Sequence, residues 1–319
     1  MVRRGPAIVG KRKMNCPLCR GLMPPLFSTH DYRRPHDSAR YAVHWCSACG
    51  YGRVAGDFDA TTVAGFYEVS GYYQPWDTTP ASPPTFLERL RIRLAWSFDQ
   101  GRDLSPAEVD LPARHEAPTL CDIGCGSGHQ LRLFRDCGYQ VTGVEINAAA
   151  RTVAQREAEV YEGTAEHLPP AITGRRFDVV LLSHVLEHCR EPARALENIR
   201  QILTPGDGTV IVEVPNNEAL GLHRLHGAWP WADVPRHLHL FTANSLTRLL
   251  QAAGLTVVKT FYTGYTRQFK PEWLAVQSRI QPGPDYGVQA WQLLWETALA
   301  RPAIKYDSVR VHASLSSKG

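Results

Sequence analysis

Asp122-Ile123-Gly124-Cys125-Gly126-Ser127-Gly128 is the stretch on which the reading of this chain turns. It closes a short apolar run from Pro118 to Ile123. A helical pattern over His129–Cys137 follows and is stopped by Gly138. Three glycines at alternate positions let a backbone turn sharply and approach a ligand without Cβ clashes. The next apolar run, Gln140–Ile146, carries Glu145, 21 residues beyond Gly124. A carboxylate at that place can accept both hydroxyls of a ribose, so a ribose-bearing ligand is expected at the strand ends. Both a dinucleotide and another ribose-bearing cofactor fit. The dinucleotide fingerprint G-x-G-x-x-G needs its third glycine where His129 stands.

Working outward, strands and helices alternate. A helix is expected over 148–157, a strand over Val160–Gly163 and a fully apolar strand over Phe177–Leu182. Glu191–Leu203 reads as a helix ended by Pro205-Gly206, and Thr209–Val214 as a strand. Ser245–Ala253 is expected to be helical, with Leu255–Tyr262 and Val309–Ser314 as the last strands. Such alternation predicts an α/β fold around a parallel sheet.

Asp122–Gly128 resembles motif I of class I S-adenosylmethionine-dependent methyltransferases. Val144-Glu145-Ile146-Asn147 resembles their acidic end of strand two, and Gly163-Thr164-Ala165-Glu166 their adenine-proximal segment. Phe177 to His188 is similar to their strand-four motif, and Leu203 to Gly208 to the turn before strand five. The resemblance spans about 118–215. It implies a Rossmann-like seven-stranded sheet of order 3-2-1-4-5-7-6, with S-adenosylmethionine as cofactor. By the same resemblance, Asp122 and the loop residues Gly124, Cys125, Gly126 and Gly128 face the methionine part. Glu145 and Ile146 take the ribose side, Ala165 and Glu166 border the adenine, and Ser183 and His184 sit beside the sulfonium.

Eight cysteines fall into two populations. Cys16-Pro-Leu-Cys19 and Cys46-Ser-Ala-Cys49 are matched C-x2-C pairs; Cys121, Cys125, Cys137 and Cys189 are scattered. Each pair can present two thiolates from one tight turn, and two such turns complete a tetrahedral S4 site suited to structural Zn2+. A redox C-x-x-C would need one pair at a helix start, not two matched pairs. A zinc ribbon over 14–56 is therefore expected, with the metal supplying folding energy that so short a segment lacks. A basic disordered tail (1–13) precedes it. An aromatic and helical connector (57–115) leads to the methyltransferase domain (116–319). Within the connector, Thr85–Asp99 reads as an amphipathic helix whose apolar side (Phe86, Leu87, Leu90, Leu94, Phe98) packs on the main domain.

The chain has 319 residues, 35 Lys and Arg against 31 Asp and Glu, and a net charge of +4. That average hides a basic front: residues 1–56 hold 10 basic and 2 acidic groups, residues 57–319 hold 25 and 29. Composition excludes collagen-like, low-complexity and coiled-coil classes. No apolar run reaches the ~18 residues of a membrane span, and Ala7-Ile8-Val9 is too short for a signal-peptide core, so a cytoplasmic protein is expected.

An acceptor that must lose a proton needs a base, and histidine suits neutral pH. His184, His188, His237 and His239 are the candidates. Leu186-Glu187-His188 also resembles a triad of ubiquinone-type O-methyltransferases that can hold a divalent metal. Here His184 stands at its first position. The leading expectation is methyl transfer to a small-molecule acceptor of secondary-metabolite, sugar or quinone type. An RNA methyltransferase using the basic front and a non-catalytic zinc and cofactor scaffold are the alternatives. The long 265–305 segment is a candidate lid, acceptor wall or homodimer surface.

Overall fold

A computed structural model of the chain describes residues 14–34, 36–69, 83–109 and 117–315. The tail 1–13 and Tyr72, Tyr73, Trp76 and Pro80 of the connector lie outside the described residues. The chain divides into two compact units. One draws on 1–101, 215–245 and 262–309, the other on 102–214, 246–261 and 310–319.

In the first unit, β1 (Met14–Asn15) and β2 (Leu22–Met23) pair antiparallel around the first cysteine turn. β3 (Pro25–His30), β4 (Arg40–Cys46) and β5 (Tyr51–Val54) form an antiparallel meander. Along β4, Tyr41 and Val43 are buried while Arg40, Ala42 and His44 are less so, the period-two signature of a half-buried strand. α1 (Ala60–Phe66) is capped by the Asp59 carboxylate, which accepts the Thr62 N–H. α2 (Phe86–Phe98) starts in a capping box: Thr85 accepts from the Glu88 N–H and Glu88 from the Thr85 N–H. The helix lies where the periodicity expects it, and Leu94 and Phe98 of the expected side pack on the core, but its first turn does not follow. Arg91 and Ala95 are buried, whereas Phe86 is 70% and Leu87 61% exposed. Arg91 turns inward because its Nε donates to the Phe269 carbonyl.

The second unit carries the large sheet. Its elements run β6 (Thr119–Ile123), α3 (His129–Asp136), β7 (Gln140–Val144), α4 (Ala148–Ala154) and β8 (Glu159–Tyr161). Then come β9 (Val179–Ser183), α5 (Pro192–Ile202) and β10 (Thr209–Pro215). After α6 (Leu220–Leu225), β11 (His239–Phe241) and α7 (Ala243–Ala252), the chain returns to the sheet as β12 (Leu255–Thr263). It ends with α8 (Pro271–Ile280), α9 (Tyr286–Thr297) and β13 (Ser308–Leu315), of which α8 and α9, like α6 and β11, belong to the first unit. The strand order β8-β7-β6-β9-β10-β13-β12 is the expected 3-2-1-4-5-7-6. The β8-β7, β7-β6, β6-β9 and β9-β10 pairs are all parallel. Leu120, Val179, Leu181 and Ile211 of the sheet pack with Leu131 and Phe134 of α3.

Two edges differ from the sequence expectation. The third strand is shorter, because the chain turns at Gly163, where a Cβ would lie 2.8 Å from Pro169. Residues 215–245, read as part of the 116–319 segment, pack in the first unit. There β11 pairs antiparallel with β5, giving the ribbon sheet the order β11-β5-β4-β3. Among the described residues no helix is long and apolar enough to cross a membrane.

Candidate functional site

β6 and β7 run parallel with Asp122 opposite Gly143, so Asp122 and Glu145 emerge at neighbouring strand ends. The loop between β6 and α3 passes through left-handed backbone at Gly124, Gly126 and Gly128, with φ of 73°, 53° and 86°. At Gly124 a Cβ would meet Val185 at 2.5 Å; at Gly126 it would meet nothing within 4 Å. The first glycine is thus required by packing, and the second leaves its backbone open to a ligand. Glu145 is buried, and its carboxylate accepts the Gly126 N–H at 2.9 Å and the Asn147 N–H at 2.7 Å. These bonds tie the loop to the end of β7. Burial, and then the Glu145 charge, hold the Asp122 carboxyl well above the usual carboxylate range. Two buried carboxylates this close favour a bound cation. S-adenosylmethionine carries a sulfonium and an ammonium, so the residues fit it.

The other expected cofactor residues occupy the same unit. Ile146 follows Glu145 with 53% of its surface exposed, an apolar group available to a ligand. Ala165 is buried, and Asn198 donates to the carbonyls of Ala165 and Glu166, both at 2.9 Å. The Glu166 carboxylate is committed to the start of α5, where it accepts the N–H groups of Arg190 and Glu191. Ser183 ends β9 opposite Glu213 of β10.

His184 has φ of 54°, and its ring lies between two acids. Nδ1 is 3.3 Å from Glu187 Oε1, and Nε2 is 3.5 Å from Glu213 Oε1. Burial alone would lower its pKa, but the hydrogen bonds and charges of Glu187 and Glu213 outweigh burial and raise it to about 9. His184 is therefore an imidazolium at neutral pH. Burial would raise Glu213, but His184 and then Arg310 bring it down to about 2. Arg310 is fully buried and continues the row, donating to Glu213 at 2.9 Å and to Glu108 at 2.7 Å. Nothing in the sequence pattern marks Glu213, Arg310 and Glu108 as partners, since they are scattered along 202 positions.

The remaining histidines differ in environment. His188 is half-buried at the end of the 3-10 turn Leu186–His188. His237 Nδ1 lies 2.8 Å from the Trp231 carbonyl. A carbonyl only accepts, so Nδ1 carries the hydrogen and Nε2 keeps a lone pair. His239 stands on β11 opposite Arg53, with Nδ1 against the Tyr51 hydroxyl. Burial pushes the Tyr51 phenol up, so it donates and His239 Nδ1 accepts, the opposite tautomer. Trp229, Trp231 and Trp273 form edge-to-face contacts at 5.3 and 5.8 Å. Beside them is a cluster that sequence reasoning missed. Fully buried Arg236 grips Asp31 through two bonds of 2.6 and 2.8 Å and also donates to Asp233.

The cysteine pairs converge. All four Sγ atoms of Cys16, Cys19, Cys46 and Cys49 lie within 4.8 Å of one another. Cys19 and Cys46 are 3.6 Å apart. Tetrahedral bonds of about 2.3 Å put sulfurs about 3.8 Å apart, so the set fits zinc. The turns match in shape. Arg20 N–H bonds the Cys16 carbonyl and Gly50 N–H the Cys46 carbonyl, each at 2.8 Å. Arg20 and Gly50 both adopt left-handed backbone, with φ of 63° and 66°.

The strand order, the glycine turn and the paired carboxylates define the class I fold of S-adenosylmethionine-dependent methyltransferases. Comparison with known proteins agrees: the family described as "Methyltransferase domain" matches residues 87–260, more than half of the chain, and the chain belongs to it. Ubiquinone biosynthesis O-methyltransferase of Cereibacter sphaeroides is 32% identical over 187 residues, which cover 55% of this chain and 72% of that protein. Malonyl-(acyl-carrier protein) O-methyltransferase of Pseudescherichia vulneris is 26% identical, over 47% of this chain and 61% of its own. Among solved structures, Burkholderia thailandensis 1,6-didemethyltoxoflavin-N1-methyltransferase with bound 1,6-didemethyltoxoflavin and S-adenosylhomocysteine matches at a TM-score of 0.46. It is 18% identical and covers 88% of this chain and 97% of its own. The protein is an S-adenosylmethionine-dependent methyltransferase.

Proposed function

We propose that the chain methylates a small-molecule acceptor and that its four N-terminal cysteines hold a structural zinc ion. Glu145 carries the cofactor part of this reading. Its carboxylate is buried, is bonded only to backbone N–H groups, and stands at the strand ends where open α/β sheets bind ligands. The small-molecule part is supported by likeness to ubiquinone biosynthesis O-methyltransferase and malonyl-(acyl-carrier protein) O-methyltransferase.

The cofactor, when bound, supplies a methyl group already activated on its sulfonium. The residues of the chain then have to orient, exclude water and manage one proton. Orientation alone can lower a barrier by roughly 7–11 kcal/mol in favourable cases. His184 is held as a cation between two acids, so below about pH 9 it donates and does not accept. It positions, and the proton of the acceptor goes elsewhere. His237, with Nε2 as its lone-pair nitrogen, and His188 are the candidate bases.

Incubation with methyl-labelled S-adenosylmethionine, beside phenols, carboxylic acids, sugars and total RNA, tests the acceptor class. Label in extractable small molecules is the expected result. Label confined to RNA, together with tight RNA binding that weakens steeply with salt, would overturn the reading. Replacing the true base with asparagine should lower kcat/KM by about 10²–10⁴-fold.

A further inference from the structure

We infer that the first unit carries a binding site for a small uncharged polyol, of the size of a single sugar ring, in the cavity between α6, the 3-10 turn Thr266–Phe269, α8 and α9. This site goes beyond the methyl-transfer reading and does not depend on it. The cavity holds about 170 Å³ and is lined by Leu225, Gln268, Leu274, Gln277, Gln289 and Leu293, with Arg224 at its margin. That is many times the roughly 10–15 Å³ a single water centre needs. It is below the ~300 Å³ at which drug-sized pockets begin.

Four glutamines line it, and three of them, Gln268, Gln277 and Gln289, carry its chemistry, with Gln292 as the fourth. Gln277 is only 3% exposed and lines the cavity. Gln289 has a buried Oε1 with no partner. Gln268 is 2% exposed and commits its Nε2 to the carbonyls of Gly264 and Lys305, at 3.1 and 3.0 Å. Its Oε1 is left as the group a ligand can use. Buried polar groups are almost always paired in a folded protein, so the orphaned Gln289 Oε1, beside two more cavity-lining amides, calls for a partner. Each amide offers donors beside an acceptor, the match for neighbouring hydroxyls that both donate and accept. The lining bears no free charge for an ion: Arg224, its one charged member, is paired with Glu296. Leu225, Leu274 and Leu293 supply apolar walls for the carbon face of such a ring.

Saturation-transfer NMR on the full-length, metal-loaded protein tests this with D-glucose, D-xylose and myo-inositol as probes and with acetate and benzene as contrasts. Transfer to at least one polyol is expected. The affinity should be about five- to tenfold weaker in Gln277→Leu and in Gln289→Leu, as loss of one net hydrogen bond implies. S-adenosylmethionine binding should be unchanged in both variants, which separates this site from the cofactor site. Transfer only to acetate or benzene, no transfer at all, or polyol signals equal in wild type and both variants would overturn the proposal. A second readout covers a cavity that merely stores structural water. Gln277→Met should melt no lower than wild type, because the amide serves the cavity and not the fold. A lower melting temperature would show that the amide serves the fold and would count against a ligand site.

Discussion

The cysteine turns and the glycine loop are both tight turns built on left-handed backbone, yet they are opposite kinds of site. In the ribbon, Arg20 and Gly50 fold the chain so that four sulfurs point at one another, and Gly50 packs against Thr242 with no room for a Cβ. Four thiol donors around one point would make a coordinatively closed site for the proposed zinc ion. In the loop after β6, Gly126 adopts a similar φ, but its Cβ position faces open space and the nearby Glu145 carboxylate accepts backbone N–H groups. The first arrangement would hold the proposed metal as part of the fold. The second stays formed without a ligand and can exchange one. This difference predicts that metal removal acts on stability, whereas changes at the glycine loop act on binding.

The largest effect should come from the metal. Structural zinc binding in small modules is worth roughly 10–16 kcal/mol in apparent terms. Cys46→Ser, or a strong chelator, should therefore remove about one zinc per chain and unfold the ribbon sheet, including the β5-β11 pairing, as read by circular dichroism with metal analysis. Retained structure in metal-free, reduced protein would break the comparison. Next comes the buried pair next to the ribbon. Asp31→Ala leaves Arg236 without its bidentate partner, and breaking such a pair costs about 3–5 kcal/mol. Chemical denaturation should show that loss with cofactor affinity nearly unchanged.

Smaller effects sharpen the open site. Gly124→Ala and Gly126→Ala both meet left-handed strain of about 1–2 kcal/mol. Gly124→Ala also drives a methyl into Val185, so it should lose more stability. Gly126→Ala should lose less stability but more cofactor affinity. The smallest effect is a pH dependence. The folded pKa of His184 is raised to about 9, so its ion-pair contribution is complete below the unfolded value near 6.5 and fades as pH rises through 9. The thermal penalty of His184→Gln, about 1–2 kcal/mol after allowance for solvent, should be full at pH 6 and nearly gone by pH 10. The Glu213 contribution runs the other way: it is present above about pH 4.5 and is lost only as pH falls through 2.

The sheet order and the glycine loop were legible because local pattern and function coincide there. Apolar strands alternate with helices, and Asp122, the glycines and Glu145 follow one another in a single β-loop-α-β unit. The cysteine site was legible from spacing alone. Other features were hidden by distance in sequence. Arg236 and Asp31 are 205 positions apart, and β11 is a three-residue strand whose partner β5 lies far upstream. The face of α2 misled for another reason. Of the expected apolar side, Leu94 and Phe98 pack on the core beside Ala95, whereas Phe86 and Leu87 stay exposed and Arg91, bonded to the Phe269 carbonyl, is buried in their stead. The state of His184 could not be read locally, because Glu213 joins it across the β9-β10 pair.

Isothermal titration calorimetry of S-adenosylmethionine and S-adenosylhomocysteine into wild type and Glu145→Ala tests the account most directly. Charge-assisted hydrogen bonds are worth about 1.5–3 kcal/mol each, so loss of a ribose-binding carboxylate should weaken binding by about a hundredfold. The account predicts one cofactor per chain in wild type and that loss in Glu145→Ala, with the metal still bound. Unchanged affinity in Glu145→Ala would contradict it.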